Sequence, residues 1–259
     1  MSLRRFHNKH IGETCYLFGD GPSIKSFDLS NFDEYIGICC GNLMLHNNFS
    51  KLDVRYYTIP EPYLFVPYWI HRQENLKDFK VLFKEFEKFI DMNTGIDFFI
   101  NAANIFSKSG FNINYIHRYL HKNHPKFYHF KGIDPFRGSF YACLSLAHFM
   151  GFSKAYLVGF DAFTIQRKSS NRWYEFGRGE PEDMEIQKTD DDYVGMLKKH
   201  MDLYSIVLDG KPYNMKSIKY EEYTGKPAEY KENYELTSSK NLKILSTYPG
   251  YRIFKDRYH

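Results

Sequence analysis

The sequence predicts an α/β fold, a Rossmann-like and mostly parallel sheet with helices on both faces and a lid insertion at about 162–190. Three observations carry that prediction. Short apolar segments of strand length, Cys15–Phe18, Tyr35–Cys40 and Val54–Ile59, each stop at a Gly, Pro or polar turn. A segment with helical spacing of its apolar residues follows them over 75–92. A helix-then-strand unit recurs from Gly138 to Asp161, the alternation that α/β chains show. The 259 residues, 43% hydrophobic and 25% charged, suffice for a single globular domain over 1–259.

Taken in order, residues 1–13 read as a polar lead-in, and Cys15–Phe18 as the first strand. Gly19-Asp20-Gly21-Pro22-Ser23 then reads as a tight turn into a helix start. Glycines on either side of one polar residue let the backbone approach a ligand, and Pro22 suits a first helical turn. The N–H groups of a helix starting there would suit a phosphate; the plainer alternative is a connection with no ligand. A short helix or helical turn is expected over Ser23–Phe32, then strands at Tyr35–Cys40 and Val54–Ile59, the latter leaving through Pro60-Glu61-Pro62. Ligands of doubly wound sheets bind outside the carboxyl ends of the strands, which sets Gly19–Gly21, Asn42 and Thr58 at one rim. Leu76, Phe79, Leu82, Phe83, Phe86, Phe89 and Ile90 mark an amphipathic helix over 75–92. Asp97–Ile100 is a candidate strand and Asn101–Phe111 a candidate helix stopped by Gly110. Ser139–Met150 is small and apolar all round, a buried helix closed by Gly151; Lys154–Asp161 is a strand ending in Gly159-Phe160-Asp161. Ser139 is read either as an ordinary cap or as a hydroxyl at a positive helix end facing an anion. The polar stretch 162–190 is long enough for a lid. A helix over 193–204, a last strand at Tyr204–Leu208, and loops with short helices over 211–259 complete the reading.

The net charge of +4 is mild and lacks a concentrated basic stripe, which argues against nucleic acid as partner. Cys15, Cys39, Cys40 and Cys143 lie in apolar segments without a C-x-x-C pair and read as reduced thiols. The start, Met1 to His7, lacks the apolar stretch of a signal peptide, and no apolar run reaches about 20 residues. A cytoplasmic protein is expected. The basic, aromatic stretch 251–259 is read as a surface tail, or as a contact to the inner membrane or to a second subunit of a homo-oligomer. His117 and His121 have a spacing that can hold a metal on a helix, but no third ligand accompanies them, so no metal is assigned. Asp190-Asp191-Asp192 either complements a helix dipole or holds Mg²⁺.

Two segments go further. Gly19-Asp20-Gly21-Pro22-Ser23-Ile24 resembles the G-N/x-G-P-S-L loop near the start of the family 42 glycosyltransferases, the bacterial sialyltransferases. Gly138-Ser139 through Gly151 and on to Leu157-Val158-Gly159-Phe160-Asp161 resembles their second core motif, in the same order and at a similar separation. The pair is also similar to a related family that includes flagellin-modifying glycosyltransferases and a pterin pyrophosphokinase. The resemblance implies metal-independent transfer of a sialic-acid-like sugar from a CMP-activated donor, with no cofactor, to a hydroxyl of a surface glycan or lipooligosaccharide. With Thr58 added from the strand-end rim, it implies a nucleotide-sugar site formed by Gly19, Asp20, Gly21, Pro22, Ser23, Asn42, Gly138, Ser139, Gly159 and Asp161. Asp20 stands where the family has Asn, and a carboxylate there would suit a ribose hydroxyl better than a phosphate. Tyr174 matches a lid tyrosine on the leaving phosphate, while Phe163 falls where a second tyrosine is expected. Between His148 and His200 there is no histidine for the family's base, and Glu185 lies nearest that position. Arg137 would add positive charge. The alternatives are an ATP- and Mg-dependent pyrophosphokinase-like enzyme using Asp161 and Asp190–Asp192, and a non-catalytic nucleotide-sugar binder.

Overall fold

The computed structural model describes residues 3–61, 64–65, 80–116, 138–161, 172–178, 194–209, 215–247 and 253–254. Their centre is one eight-stranded sheet, all of whose pairings are parallel. The strands are β1 (Thr14–Phe18), β2 (Ile36–Cys40), β3 (Val54–Ile59), β4 (Asp97–Asn101), β5 (Ile113–Ile116), β6 (Lys154–Val158), β7 (Asp202–Val207) and β8 (Lys216–Lys219). They lie in the order β5-β4-β3-β2-β1-β6-β7-β8. The chain therefore builds outward from β1 in one direction, then returns to the other side of β1 and builds outward again. The reversal falls between β1 and β6, which pair from Thr14 with Lys154 to Phe18 with Val158. The α/β, Rossmann-like fold with helices on both faces is thus observed.

Alternating side chains of each strand feed two cores, as the two-residue period of a strand requires. Tyr16, Phe18, Cys39, Tyr57, Phe98 and Ile100 face one side, where they meet α1 (Lys80–Met92) through Leu82, Phe86 and Ile90. Cys15, Leu17, Ile38, Cys40, Tyr56 and Phe99 face the other, where α2 (Ser139–Phe149) lies. Nearly every residue of α2 is buried, as its all-round apolar sequence predicts. Three short helices, α3 (Tyr220–Thr224), α4 (Asn233–Leu236) and α5 (Ser239–Leu245), pack on the α1 side.

Several elements differ from expectation. The segment after β1 is not among them: it forms two 3₁₀ turns, Pro22–Ser26 and Leu29–Asn31, within the short helix or helical turn expected there. Asn101–Phe111 is not a helix: only Ala102–Asn104 turn, because the Asn101 side chain accepts the Ala103 N–H and caps a single turn. Strand β5 follows, hidden in the sequence by the asparagines that flank its apolar residues. The helix expected over 193–204 is helical only at 194–197 among the described residues, and β7 begins at Asp202. Strand β8 was expected as a loop; its Lys-Ser-Ile-Lys sequence is that of a polar edge strand. The amphipathic helix 75–92 is described from Lys80 onward.

Candidate functional site

The ends of β1 and β6 lie side by side at the point where the strand order reverses, the usual crevice of an open α/β sheet. Their turns interlock. Gly19 N–H donates to Val158 O at 2.9 Å and Gly21 N–H to Gly159 O at 2.6 Å. A side chain at position 21 would collide with the Asp161 carboxylate, so the close approach itself requires glycine. Gly159 sits at φ +73°, a left-handed backbone that a β-carbon would strain. Asp161 then reaches back, its Oδ2 accepting the Ser23 N–H at 3.0 Å. Ile24 N–H bonds Gly21 O at 3.3 Å. The expected phosphate cradle of helix N–H groups is therefore not formed here: Pro22 opens a 3₁₀ turn whose first donors are already used.

Asp20, between the two glycines, turns toward the β2 side. Its Oδ2 accepts the Asn42 N–H at 2.7 Å and its Oδ1 the Trp173 Nε1–H at 3.2 Å, while Trp173 N–H donates to Asp20 O at 2.9 Å. Asp20 keeps an open edge, yet dense packing around it pushes its pKa up to about 6 by desolvation; the Asn42 N–H, the Arg172 charge and the Trp173 indole oppose the shift and Glu61 adds to it. Asn42, buried, donates from Nδ2 to the Tyr174 hydroxyl at 3.1 Å. Ser139, the first residue of α2, lies near Glu61, 3.4 Å from its Oε1, which brings the start of α2 to the carboxyl end of β3. Gly138 precedes it with φ +111°. Asp20, Asn42, Glu61, Ser139, Arg172 and Tyr174 thus gather along one rim.

Residues 172–178 belong to the expected lid, but Trp173 and Tyr174 are fully buried. A buried ion pair holds them down. Lys25 Nζ is 2.6 Å from Glu232 Oε1 and donates to Gly177 O at 2.6 Å, and Glu232 accepts the Gly177 N–H at 3.1 Å. Burial lowers the Lys25 pKa and the carboxylate beside it opposes that; Glu232, despite its own desolvation, is held below its usual value by the lysine. Asn233 Nδ2 adds a bond to Tyr174 O at 2.8 Å.

Thr58 is placed away from the rim: it is 1% exposed, and its hydroxyl lies 3.3 Å from Cys143 Sγ on α2, because the strand period turns it into the layer beneath. Arg137, Glu185, Phe163, His117, His121 and Asp190–Asp192 fall outside the described residues. Among the described residues no group of three His, Cys, Asp or Glu side chains could hold a metal, and no helix is long and apolar enough to cross a membrane. Sequence reasoning missed Glu61, Lys25, Arg172 and Trp173 as parts of this site. Glu61 had a signal, its place directly after a strand end between prolines; the Lys25–Glu232 pair had none, since its partners are far apart in the chain.

No protein-family model matches the chain, and no curated protein matches it. Among solved structures the chain is similar to a variant of the sialyltransferase CST-II in complex with CMP, at 15% identity over 91% of this chain and 99% of that one, with a TM-score of 0.35. It is also similar to the sialyltransferase CstII from Campylobacter jejuni with the substrate analogue cytidine-5'-monophosphate, at 14% identity over 92% and 98% of the two chains and a TM-score of 0.31. A third, CST-II with a trisaccharide acceptor and CMP, stands at 15% identity, 91% and 99% coverage and a TM-score of 0.34. The fold of this chain rests on its own strand order and register.

Proposed function

We propose that the chain is a glycosyltransferase that moves a sialic-acid-like sugar from a CMP-activated donor to a hydroxyl of a glycan or lipooligosaccharide, without a cofactor. One observation carries the reading: the two motif turns meet at the sheet's reversal point, with Asn42, Tyr174 and Ser139 on the same rim. In this reading an acceptor hydroxyl attacks the anomeric carbon. The new carbon–oxygen bond forms as the bond from that carbon to the phosphate oxygen breaks, and CMP departs. Glu185 takes the acceptor proton. The Ser139 hydroxyl, the positive end of α2 and Arg137 stabilise the charge that gathers on the phosphate, and Tyr174, buried with its hydroxyl on Asn42, positions that amide. The turns Gly19–Ser23 and Gly159–Asp161 border the nucleoside. Asp20 is a positioning residue here, since its two oxygens hold Asn42 and Trp173.

Calorimetry of the purified chain with CMP, UDP, GDP and ATP, each with and without Mg²⁺, tests the reading. Metal-independent binding of CMP is expected. Absence of CMP binding sinks it, and ATP binding with a strict need for Mg²⁺ replaces it with the pyrophosphokinase-like alternative.

A further inference from the structure

The two faces of the sheet differ in what they show to solvent. Eight large hydrophobic side chains are exposed among the described residues, and seven of them lie on the α1 side. The exception is Ile11, on the N-terminal segment docked against the end of α2. α1 contributes Val81 and Met92, and the loop from β4 to β5 contributes Ile105, Phe106 and Phe111. That loop is fastened to α1: Lys108 Nζ lies 2.6 Å from Asp91 Oδ1, and the Tyr115 hydroxyl donates to Lys108 O at 2.8 Å. Tyr234 on α4 and Phe254, next to the buried Ile253, are on the same side. Phe106 is 100% exposed, Met92 81% and Phe111 62%. Scattered singly, such side chains need no explanation; gathered on one side of a sheet, they mark a contact surface.

The polar part of this face is basic. Lys80, Lys84 and Lys88 recur at every fourth residue along the solvent side of α1, over about 12 Å of helix. α5, which packs against α1, adds the exposed Lys240 and Lys243. The acids of α1 are offset: Glu85 lies 2.7 Å from Lys88, Asp91 is paired with Lys108, and Glu87 is half-buried.

These two properties together select the occupant. In the interfacial zone of an anionic bilayer, apolar tips enter the acyl boundary while ammonium groups stay at the lipid phosphates. A second copy of the chain fits less well, because a two-fold contact through this face would set one row of lysines against another.

We propose that the α1 side is a docking surface for an anionic bilayer, with Phe106, Phe111 and Met92 entering the interface and the lysines of α1 and α5 against the lipid phosphates. The sheet then lies flat over the membrane, and the rim at the carboxyl ends of its strands opens along the bilayer plane. This docking is independent of what the rim binds.

Sedimentation of the full chain with vesicles tests it, using phosphatidylcholine alone and equal parts of phosphatidylcholine and phosphatidylglycerol. Binding is expected to the anionic vesicles only, and should weaken as salt is raised. Phe106→Ser should lower the partition coefficient about tenfold. Lys84→Gln should lower it about fivefold. Both variants should keep the urea midpoint of the parent, since both positions are exposed. In Phe106→Trp, anionic vesicles should shift the fluorescence to the blue, a change absent from the parent. No binding to anionic vesicles overturns the proposal. So does binding that both substitutions leave unchanged, which would place the contact elsewhere, as on the tail 251–259. A parent dimer in sedimentation equilibrium that Phe106→Ser dissociates would make the face a contact between copies, and overturns it as well.

Discussion

The two halves of the sheet finish their central strands in the same way and use the result differently. In each, a glycine turn leads to a carboxylate that accepts a backbone N–H: Asp20 that of Asn42, at 2.7 Å, and Asp161 that of Ser23, at 3.0 Å. On the β2 side the second oxygen of Asp20 is also taken, by the Trp173 indole, and the Asn42 amide continues the chain of bonds to Tyr174. On the β7 side Asp161 and Ser23 instead border a cavity. A saturated network positions its members. The difference is between a closed hydrogen-bond network and an open cavity along one rim.

The sharpest way to break that contrast is to loosen the foot of the saturated half. Lys25→Ala leaves the half-buried Glu232 without its cation and empties the buried Lys25 position, and should cost about 2–3 kcal/mol. Lys25→Met, which fills the space but not the charge, should cost no less than half of that. Urea denaturation midpoints of both variants measure it, and a loss below about 1 kcal/mol would mean that residues 172–178 are held by other contacts.

A smaller effect, readable by pH, concerns Asp20. Its folded pKa of about 6 lies above the ordinary carboxylate value, so between pH 4 and 6 the folded state holds a proton that the unfolded chain has released. Stability from this group is therefore complete below pH 4 and is lost as the pH rises through about 6. Asp20→Asn should be less stable than the parent at pH 4, because the hydroxyl oxygen of the protonated acid can still accept an N–H while an amide nitrogen cannot, and the gap should narrow toward pH 7. A gap that widens with pH would show that the carboxylate is stabilised, not strained, by its surroundings.

The smallest effect belongs to Thr58, which is buried beneath the rim. Thr58→Val should change stability by about 1 kcal/mol or less, since its bond to Cys39 O is long at 3.5 Å, and should leave CMP calorimetry as it is in the parent. A weaker affinity for CMP in this variant would move the rim one residue deeper into β3.

The central strands and the buried helix α2 were legible in the sequence because each is set by local rules, apolar runs, glycine turns and an all-apolar helix, while Gly19–Gly21 and Gly159–Asp161 were brought together by the resemblance of their two motifs. The outer strands were not. β5 holds Asn114 and follows directly on Asn112, and β8 places lysines at both ends of a four-residue strand, so neither carries the apolar mark of a central strand. In the site, Asp20 was singled out, but its partner Trp173 lies across the whole middle of the chain, and no local pattern announces such a bond. Thr58 was misplaced by one step of strand alternation: the end of β3 was located, but not which face its last polar residue takes.

The position of β1 also governs how this chain can be made. Its first neighbour, β2, follows within a few turns of sequence, whereas its second, β6, pairs Thr14 with Lys154, more than half the chain later. A ribosome delivering the protein from its N-terminus exposes one edge of β1 until most of the synthesis is complete. Long-range parallel pairing of this kind is slow to form and leaves an unpaired strand edge open to other chains. The turns on both sides of the β1–β6 seam depend on that pairing, so neither is complete in a nascent chain shorter than about Asp161, and release of a truncated product should yield an aggregation-prone half-sheet.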